Sequence, residues 1–246
     1  MAMILSRKFI LYALLIAFMI FPILIAGYYL NEIRNARLHT EFLVSNVISK
    51  YGKKLKVSDL SPGRKAMLLA VEDPTFFTHH GVDLCTPGAG MTTITQGLVK
   101  LLYYPEGFKQ GIAKIRQTLI AQYVLDSLVS KDEQLNLFLN ISYLGNVEGS
   151  AIHGFEDAAQ IYFSKNFTSI SNDEYLMLVG MLISPNLLKP YTQKSMERLE
   201  RIKKYLSGEY KPAGVLDFNY NGRRRGSLAE EALMMFLRLV TNACPD

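Results

Sequence analysis

The chain lacks the residue groupings on which several large functional classes depend. No Cys/His cluster has zinc-ligand spacing, no glycine-rich loop has the nucleotide-phosphate pattern, and no segment repeats. Metal-finger, nucleotide-binding and repeat architectures therefore have no support in the sequence, and no resident metal is expected. Cysteine is scarce, with only Cys85 and Cys244. A disulfide and two free thiols both remain open, because sequence gives no distance between them. The net charge is a mild +5, and no long block of like charge is present.

What the chain has is apolar residues, at 49% of 246 positions. That length holds one ordinary domain plus an anchor. Phe9 to Leu30 is an uncharged run of 22 residues, long enough to span a bilayer as a helix. Pro22 within it is tolerable in a membrane helix. The competing reading is a cleavable signal peptide, whose apolar core is shorter and ends at small residues. Leu24-Ile25-Ala26 is a poor cleavage site, so an uncleaved anchor is expected. Arg7 and Lys8 precede the run and place the short N-terminus in the cytoplasm, although Arg34 and Arg37 weaken the asymmetry. Lys50, Lys53, Lys54, Lys56, Arg64 and Lys65 follow the anchor closely. They suit a solvated face or attraction to anionic membrane lipids. The cluster sits too near the bilayer to serve mainly as a nucleic-acid patch.

The expected organisation is a cytoplasmic 1–8, an anchor at 9–30, a membrane-proximal helix or linker at 31–58, a domain at 59–206, and a tail at 207–246. Pro62 at a first turn starts a helix through Val71. Pro74, Gly81, Pro87, Gly88 and Gly90 make 74–92 a loop. Helices are predicted at 94–102, 111–128, 131–144, 155–163, 172–183 and 194–206, with a capping box at Ser171 and Glu174. In the tail, Leu228, Ala232, Met235, Phe236, Leu239 and Val240 line one helical face. That stripe reads as a face docked on the domain, or alternatively as one lying on a membrane surface. The fold class is mainly α.

The densest chemistry lies at 72–100. It reads Glu72-Asp73-Pro-Thr-Phe76-Phe-Thr-His79-His-Gly81-Val-Asp83, then Gly90-Met-Thr92-Thr93-Ile-Thr95-Gln96-Gly-Leu-Val-Lys100. Further blocks follow in order: Ser130-Lys131-Asp132 with Phe138 to Gly145, Gly154 to Phe163, and Asp173 to Pro185. Together they resemble the ordered motifs of the peptidoglycan glycosyltransferases, which polymerise lipid II into glycan strands. The resemblance covers about residues 66–205 and marks a divergent, monofunctional type. It implies a lysozyme-like fold with a small membrane-proximal lobe. It also implies a place in the bacterial inner membrane, with the domain on the outer side. The implied partners are lipid II, the nascent glycan strand, membrane lipids and other cell-wall proteins. No nucleic acid is among them.

Elongation needs a base for the attacking sugar hydroxyl and cations for the departing pyrophosphate. Glu72 matches the family's basic glutamate; its alternative is a plain helix-end glutamate. Asp73 and His79 are placed in the substrate-binding set, Asp73 as a partner that orients the loop and His79 as a hydrogen-bonding strut or, alternatively, a proton carrier. Lys100 matches the lysine facing pyrophosphate, or is an ordinary helix lysine. Lys114 and Arg116 are candidate phosphate contacts. Thr93, Thr95 and Gln96 bond sugar or phosphate, or cap the following helix. Asn140 matches a motif asparagine and completes the binding set. No cofactor is required, and a divalent cation, Mg or Mn, can assist.

The sequence also departs from the family pattern. Its second glutamate falls on Gln117 or Thr118, depending on the alignment, and neither is ionisable. Gln117→Glu is therefore expected to raise turnover. Only six residues separate Asp83 from Gly90, where the family has a much longer segment, and the second motif glutamine is Gly97. The leading reading is an inverting glycosyltransferase. A binding or scaffolding relative without turnover and a glycan-cleaving enzyme remain beside it. No Ser-x-x-Lys transpeptidase set occurs.

Overall fold

The computed structural model describes residues 7–109, 111–223 and 225–244. Helix α1, Arg7–Tyr51, runs unbroken through Pro22. Among the described residues no helix is long and apolar enough to cross a membrane. The expected span at 9–30 takes in Phe9, Ile10, Ala13, Leu14 and Ala17, whose side chains lie outside the described set, as do Arg7 and Lys8. From Leu11 to Leu30 the described apolar side chains are largely exposed, whereas Ala36, Thr40 and Val44 are buried against the domain. Thr40 Oγ1 meets the Tyr103 hydroxyl at 2.7 Å, which fixes the C-terminal part of α1 to the body.

Local caps set most helix starts. Ser61 Oγ accepts from Arg64 N and Pro62 occupies the first turn of α2, Pro62–Glu72. Thr93 and Gln96 form a reciprocal capping box on α3, Ile94–Tyr103. Helix α4, Ile112–Ile120, passes through one π-helical turn, Ala121–Leu125, into α5, Asp126–Leu128. Ser130 caps α6, Lys131–Ile141.

The sequence reading carried that helix on to Leu144, and the structure corrects it. Ser142 turns extended, and a hairpin forms from β1, Tyr143–Val147, and β2, Ser150–His153. Its turn places Glu148 and Gly149 both at positive φ, and Gly145 adopts φ 99° inside β1. A Glu-Gly turn is a weaker hairpin signal than Asn-Gly. The chain then builds α7, Phe155–Phe163, α8, Asn172–Met181, and α9, Gln193–Leu206. Ser227 and Glu230 box the start of α10, Leu228–Val240.

The architecture is mainly α-helical. Helix α8 is sandwiched between α2 and α9, and α6 packs on α3. Leu135, Leu139, Leu178 and Val179 are completely buried at the centre. Each contributes about 1.5–3 kcal/mol through loss of apolar surface to water. Arg64, expected on a basic face that is solvated or drawn to anionic lipids, instead turns inward. Its guanidinium donates to the carbonyls of Phe167 and Ile170 and lies over the Tyr175 ring.

The tail is docked, but not by the expected stripe. Met234 and Leu237 are its buried residues, whereas Leu228, Met235 and Leu239 are 89%, 67% and 76% exposed. Helix α10 is amphipathic, but Met234 and Leu237 flank its charged side and lie off the centre of its apolar stripe, so periodicity did not select the docked face. Ties at its C-terminal end orient it: Arg238 donates to Leu84 O, Leu84 N donates to Ala243 O at 2.7 Å, and Cys85 is disulfide-bonded to Cys244.

Candidate active site

Glu72 is the last residue of α2, and Asp73 is its C-cap. The Asp73 carboxylate accepts from His79 Nε2 at 2.9 Å and from Ile94 N at 2.9 Å. One buried side chain therefore joins the end of α2, the 74–92 loop and the start of α3. Negative charge at that α3 N-terminus is favourable. Asp83 receives Thr75 Oγ1 at 2.5 Å and the amides of Cys85 and Thr86 at 2.8 and 2.9 Å. Burial pushes its pKa up, but these bonds outweigh burial and hold it below the usual carboxylate value. Gly81 has φ +80°, and a Cβ there would lie 2.6 Å from Ala121 O. The motif glycine is thus required both by its φ and by the close approach of the backbone of the π-helical turn.

These supports leave Glu72 facing a groove of about 450 Å³. Thr93, Lys100, Phe138, Tyr143 and Arg198 are among its walls. Glu72 is half-buried at the groove floor. Its Oε1 is buried without a hydrogen-bond partner among the described residues. Burial drives its pKa up to about 7; Arg198 opposes the shift and Asp73 adds to it. A carboxyl tuned to that value exchanges protons near neutral pH. Among the described lining residues it is the one carboxylate, so a protein-held metal has no ligand set in the groove.

Lys100 sits where the groove meets a smaller pocket of about 210 Å³, which Lys114 also lines. Burial lowers the Lys100 pKa. Burial, and then Lys100 itself, lower Lys114 further. Lys114 Nζ donates to Met91 O at 2.5 Å and to Thr92 Oγ1 at 3.1 Å, holding the turn before α3. Burial and their mutual repulsion disfavour charge on both lysines at once unless an anion joins them at this end of the cleft.

The other residues singled out in the sequence lie elsewhere. Thr95 Oγ1 donates to Gln134 in the core, and Gln96 is spent on the α3 cap and on Thr118 Oγ1. Gln117 Nε2 donates to Gln96 O at 2.6 Å, and both Gln117 and Thr118 are fully buried outside the groove lining. Arg116 pairs with Glu32 of α1 and lies over Tyr104, so its guanidinium is engaged away from the cleft. Asn140 uses its amide on both backbone groups of Leu55 and on Asn136 O. It ties the segment after α1 to α6.

Two groove residues escaped the sequence reading. Arg198, 2% exposed, reaches the groove from α9 and donates to Phe218 O at 2.8 Å. Burial lowers its pKa, and Tyr220 and Glu72 oppose that. Its signal was an arginine in the same buried stripe as Leu199 and Ile202. Phe218 comes from the tail, and nothing local in the sequence marks it.

Residues 41–209 match the family described as Transglycosylase. The chain is 34% identical over 146 residues to Penicillin-binding protein 1B of Haemophilus influenzae, covering 53% of this chain and 18% of that protein. It is 31% identical over 172 residues to Penicillin-binding protein 1A of Neisseria gonorrhoeae, covering 63% and 21%. Penicillin-binding protein 1B of Vibrio cholerae is 30% identical over 154 residues, covering 56% and 20%. The chain thus matches about a fifth of the length of these curated relatives. With the match spanning α2 to α9 and enclosing Glu72, Lys100 and Lys114, the chain belongs to the transglycosylase family.

Proposed function

We propose that this protein is a peptidoglycan glycosyltransferase that polymerises lipid II and releases lipid pyrophosphate. The observation that carries the reading is Glu72: a half-buried carboxylate whose Oε1 has no hydrogen-bond partner among the described residues, with its pKa raised to about 7, in a groove that Lys100 also lines. Glu72 takes the proton from the acceptor sugar hydroxyl. The hydroxyl oxygen attacks the anomeric carbon of the donor, and the bond to pyrophosphate breaks with its electron pair. Single displacement inverts the anomeric centre. Lys100 and Lys114 neutralise the charge gathering on pyrophosphate. A divalent cation would be carried in by the substrate's pyrophosphate, and no step here depends on it.

The lysozyme-like fold and the inner-membrane location belong to the same proposal. The run at 9–30, at about 1.5 Å per residue, measures about 33 Å as a helix and matches a bilayer core. The outward strip of Leu228, Met235 and Leu239 suits contact with the membrane surface. Lipid II, the glycan strand, anionic lipids and other cell-wall proteins are the partners this reading assigns.

A binding or scaffolding role without turnover is the second reading. It is favoured by the absence of a carboxylate at Gln117 and Thr118, both sealed in the interior. A glycan-cleaving role loses ground, because Asp73 and Asp83 are bound into the loop and no second acid is among the described lining residues of the groove. Labelled lipid II given to the detergent-solubilised protein decides between them. Polymer from wild type and none from Glu72→Gln is expected, a loss of about 10²–10⁴-fold. No polymer from folded wild type would leave the binding reading.

A further inference from the structure

The smaller pocket contains a cation that the matched region does not supply. Arg223 lies beyond residues 41–209 and lines the pocket with Lys100, Lys114, Phe108, Phe218 and Glu230. We propose that Arg223 is a diphosphate-binding residue of the donor end of the cleft, its guanidinium exchanging Glu230 for the donor's phosphates. The proposal rests on the glycosyltransferase reading for the identity of the donor.

The C-terminal segment is built to hold Arg223 at that place. Gly88 N donates to Gly214 O at 3.0 Å and Gly90 N to Val215 O at 2.8 Å, so the segment lies along the short loop between Asp83 and Gly90. Asp217 locks its turn, accepting from the amides of Ala213, Asn221 and Gly222 at 2.9 Å each. Arg198 and Arg201 of α9 hold the carbonyls of Phe218 and Asn219 at 2.8 and 3.1 Å. The tail thereby brings Leu216, Phe218 and Arg223 into the cleft walls beside that loop.

The charge pattern in the pocket identifies the ligand class. Three basic side chains converge, and Glu230 is the one acidic residue among the described lining residues. Its Oε2 is already taken by Arg223 Nη2 at 2.7 Å and by Ser227 N at 2.7 Å. Lys114 is 6% exposed and its Nζ donates to neutral oxygens only. Lys100 Nζ has no hydrogen-bond partner or counter-ion among the described residues and lies 5.1 Å from the centre of the Phe108 ring. Lys114 is buried and Lys100 half-buried, both without a counter-anion among the described residues, and a ligand with more than one negative charge satisfies both. A diphosphate supplies this, and its oxygens match the forked guanidinium of an arginine. The pocket opens onto the groove through Lys100, Met91, Thr92 and Phe218, which line both, so a sugar bound at Glu72 can place its diphosphate there.

Inorganic pyrophosphate titrated calorimetrically into the detergent-solubilised full chain tests this, with Arg223→Gln and Glu230→Gln beside wild type. Glutamine at 230 keeps the oxygen that caps α10 while removing the competing charge. Arg223→Gln should weaken pyrophosphate binding about tenfold, and Glu230→Gln should tighten it several-fold. A purely structural ion pair would lower the melting temperature in both variants and leave both affinities equal to wild type, which would overturn the proposal. So would absence of pyrophosphate binding by wild type. Phosphatidylglycerol in the micelles separates the two sources of phosphate. If it competes with pyrophosphate through Arg223, the site serves a lipid headgroup and the donor assignment falls. Lipid II assays run on the same samples keep the two readings apart. Polymer from all three proteins with equal pyrophosphate affinity sinks the Arg223 role alone. Opposed affinity changes without any polymer leave the diphosphate pocket standing and sink the glycosyltransferase reading.

Discussion

At Glu72 the reactivity of one carboxylate is set by what its neighbours withhold. Arg198 is held by Phe218 O and only partly offsets the effect of burial on Glu72, while the like charge of Asp73 adds to it. The raised pKa has a consequence for stability. The folded state binds the Glu72 proton up to about pH 7, the unfolded chain only up to about 4.5. Stability is therefore full below 4.5 and falls as pH rises through 7, by up to about 3 kcal/mol. Thermal melts should show Glu72→Gln more stable than wild type at pH 8 and the difference closing by pH 4. A constant gap would mean that Glu72 titrates normally. Lys100→Ala should leave the melting temperature unchanged or raised, because burial disfavours the Lys100 charge. It should also weaken pyrophosphate binding by about 1.5–3 kcal/mol. Equal affinity by titration would remove Lys100 from the site. The expected gain from Gln117→Glu is revised. Gln117 donates to Gln96 O, and a carboxylate there would face a carbonyl oxygen in the interior. The substitution should cost about 1–3 kcal/mol of stability without adding activity; a gain in lipid II turnover at unchanged melting temperature would contradict this.

At the scale of elements, the tail and the short 84–89 loop act as one unit. Gly214, Val215 and Ala243 of the tail hydrogen-bond the loop at Gly88, Gly90 and Leu84. The Cys85–Cys244 bond closes a sequence separation of 159 residues. Cross-links over long loops commonly stabilise by about 2–4 kcal/mol, chiefly by restricting the unfolded chain. Replacing both cysteines by serine should lower the melting temperature accordingly. Faster amide exchange should appear in α10 and at Leu84, whose amide donates to Ala243 O, while α6 and α8 stay protected. Uniform loss of protection would show that the tail is not a separate unit. The hydrogen bonds of Gly88 and Gly90 to Gly214 and Val215 should hold part of the tail in place without the disulfide.

At the scale of the molecule, α1 divides into an exposed apolar part and a part packed on the domain. The packed part begins near Ala36, and Arg37 Nη1 donates to Tyr123 O at 2.7 Å. A helix continuous across that boundary would carry any orientation imposed on residues 9–30 directly to the cleft. The proposed anchor requires that those residues persist in the mature protein. Intact-mass measurement of purified membrane protein should give a chain retaining them; a start near Gly27 would end the anchor reading.

The sequence by itself determined the helical elements and the identity of the motif. Caps at Ser61, Thr93, Ser171 and Ser227 are local chemistry, and the spacing from Glu72 to Lys100 survives as a contiguous string. The hairpin at 143–153 was missed because Gly145 and a Glu-Gly turn interrupt what reads as a helix end. Tertiary structure decided which polar motif residues face the cleft. Thr95, Gln96 and Asn140 look like ligand contacts in sequence, but each satisfies a buried backbone or side-chain partner instead. Burial demands such partners, and sequence spacing cannot say where they are. The docked face of α10, the pairing of Cys85 with Cys244, and the arrival of Phe218 and Arg223 at the cleft were likewise settled by long-range packing. These contacts join residues more than a hundred positions apart, a distance over which local propensity and periodicity carry no information.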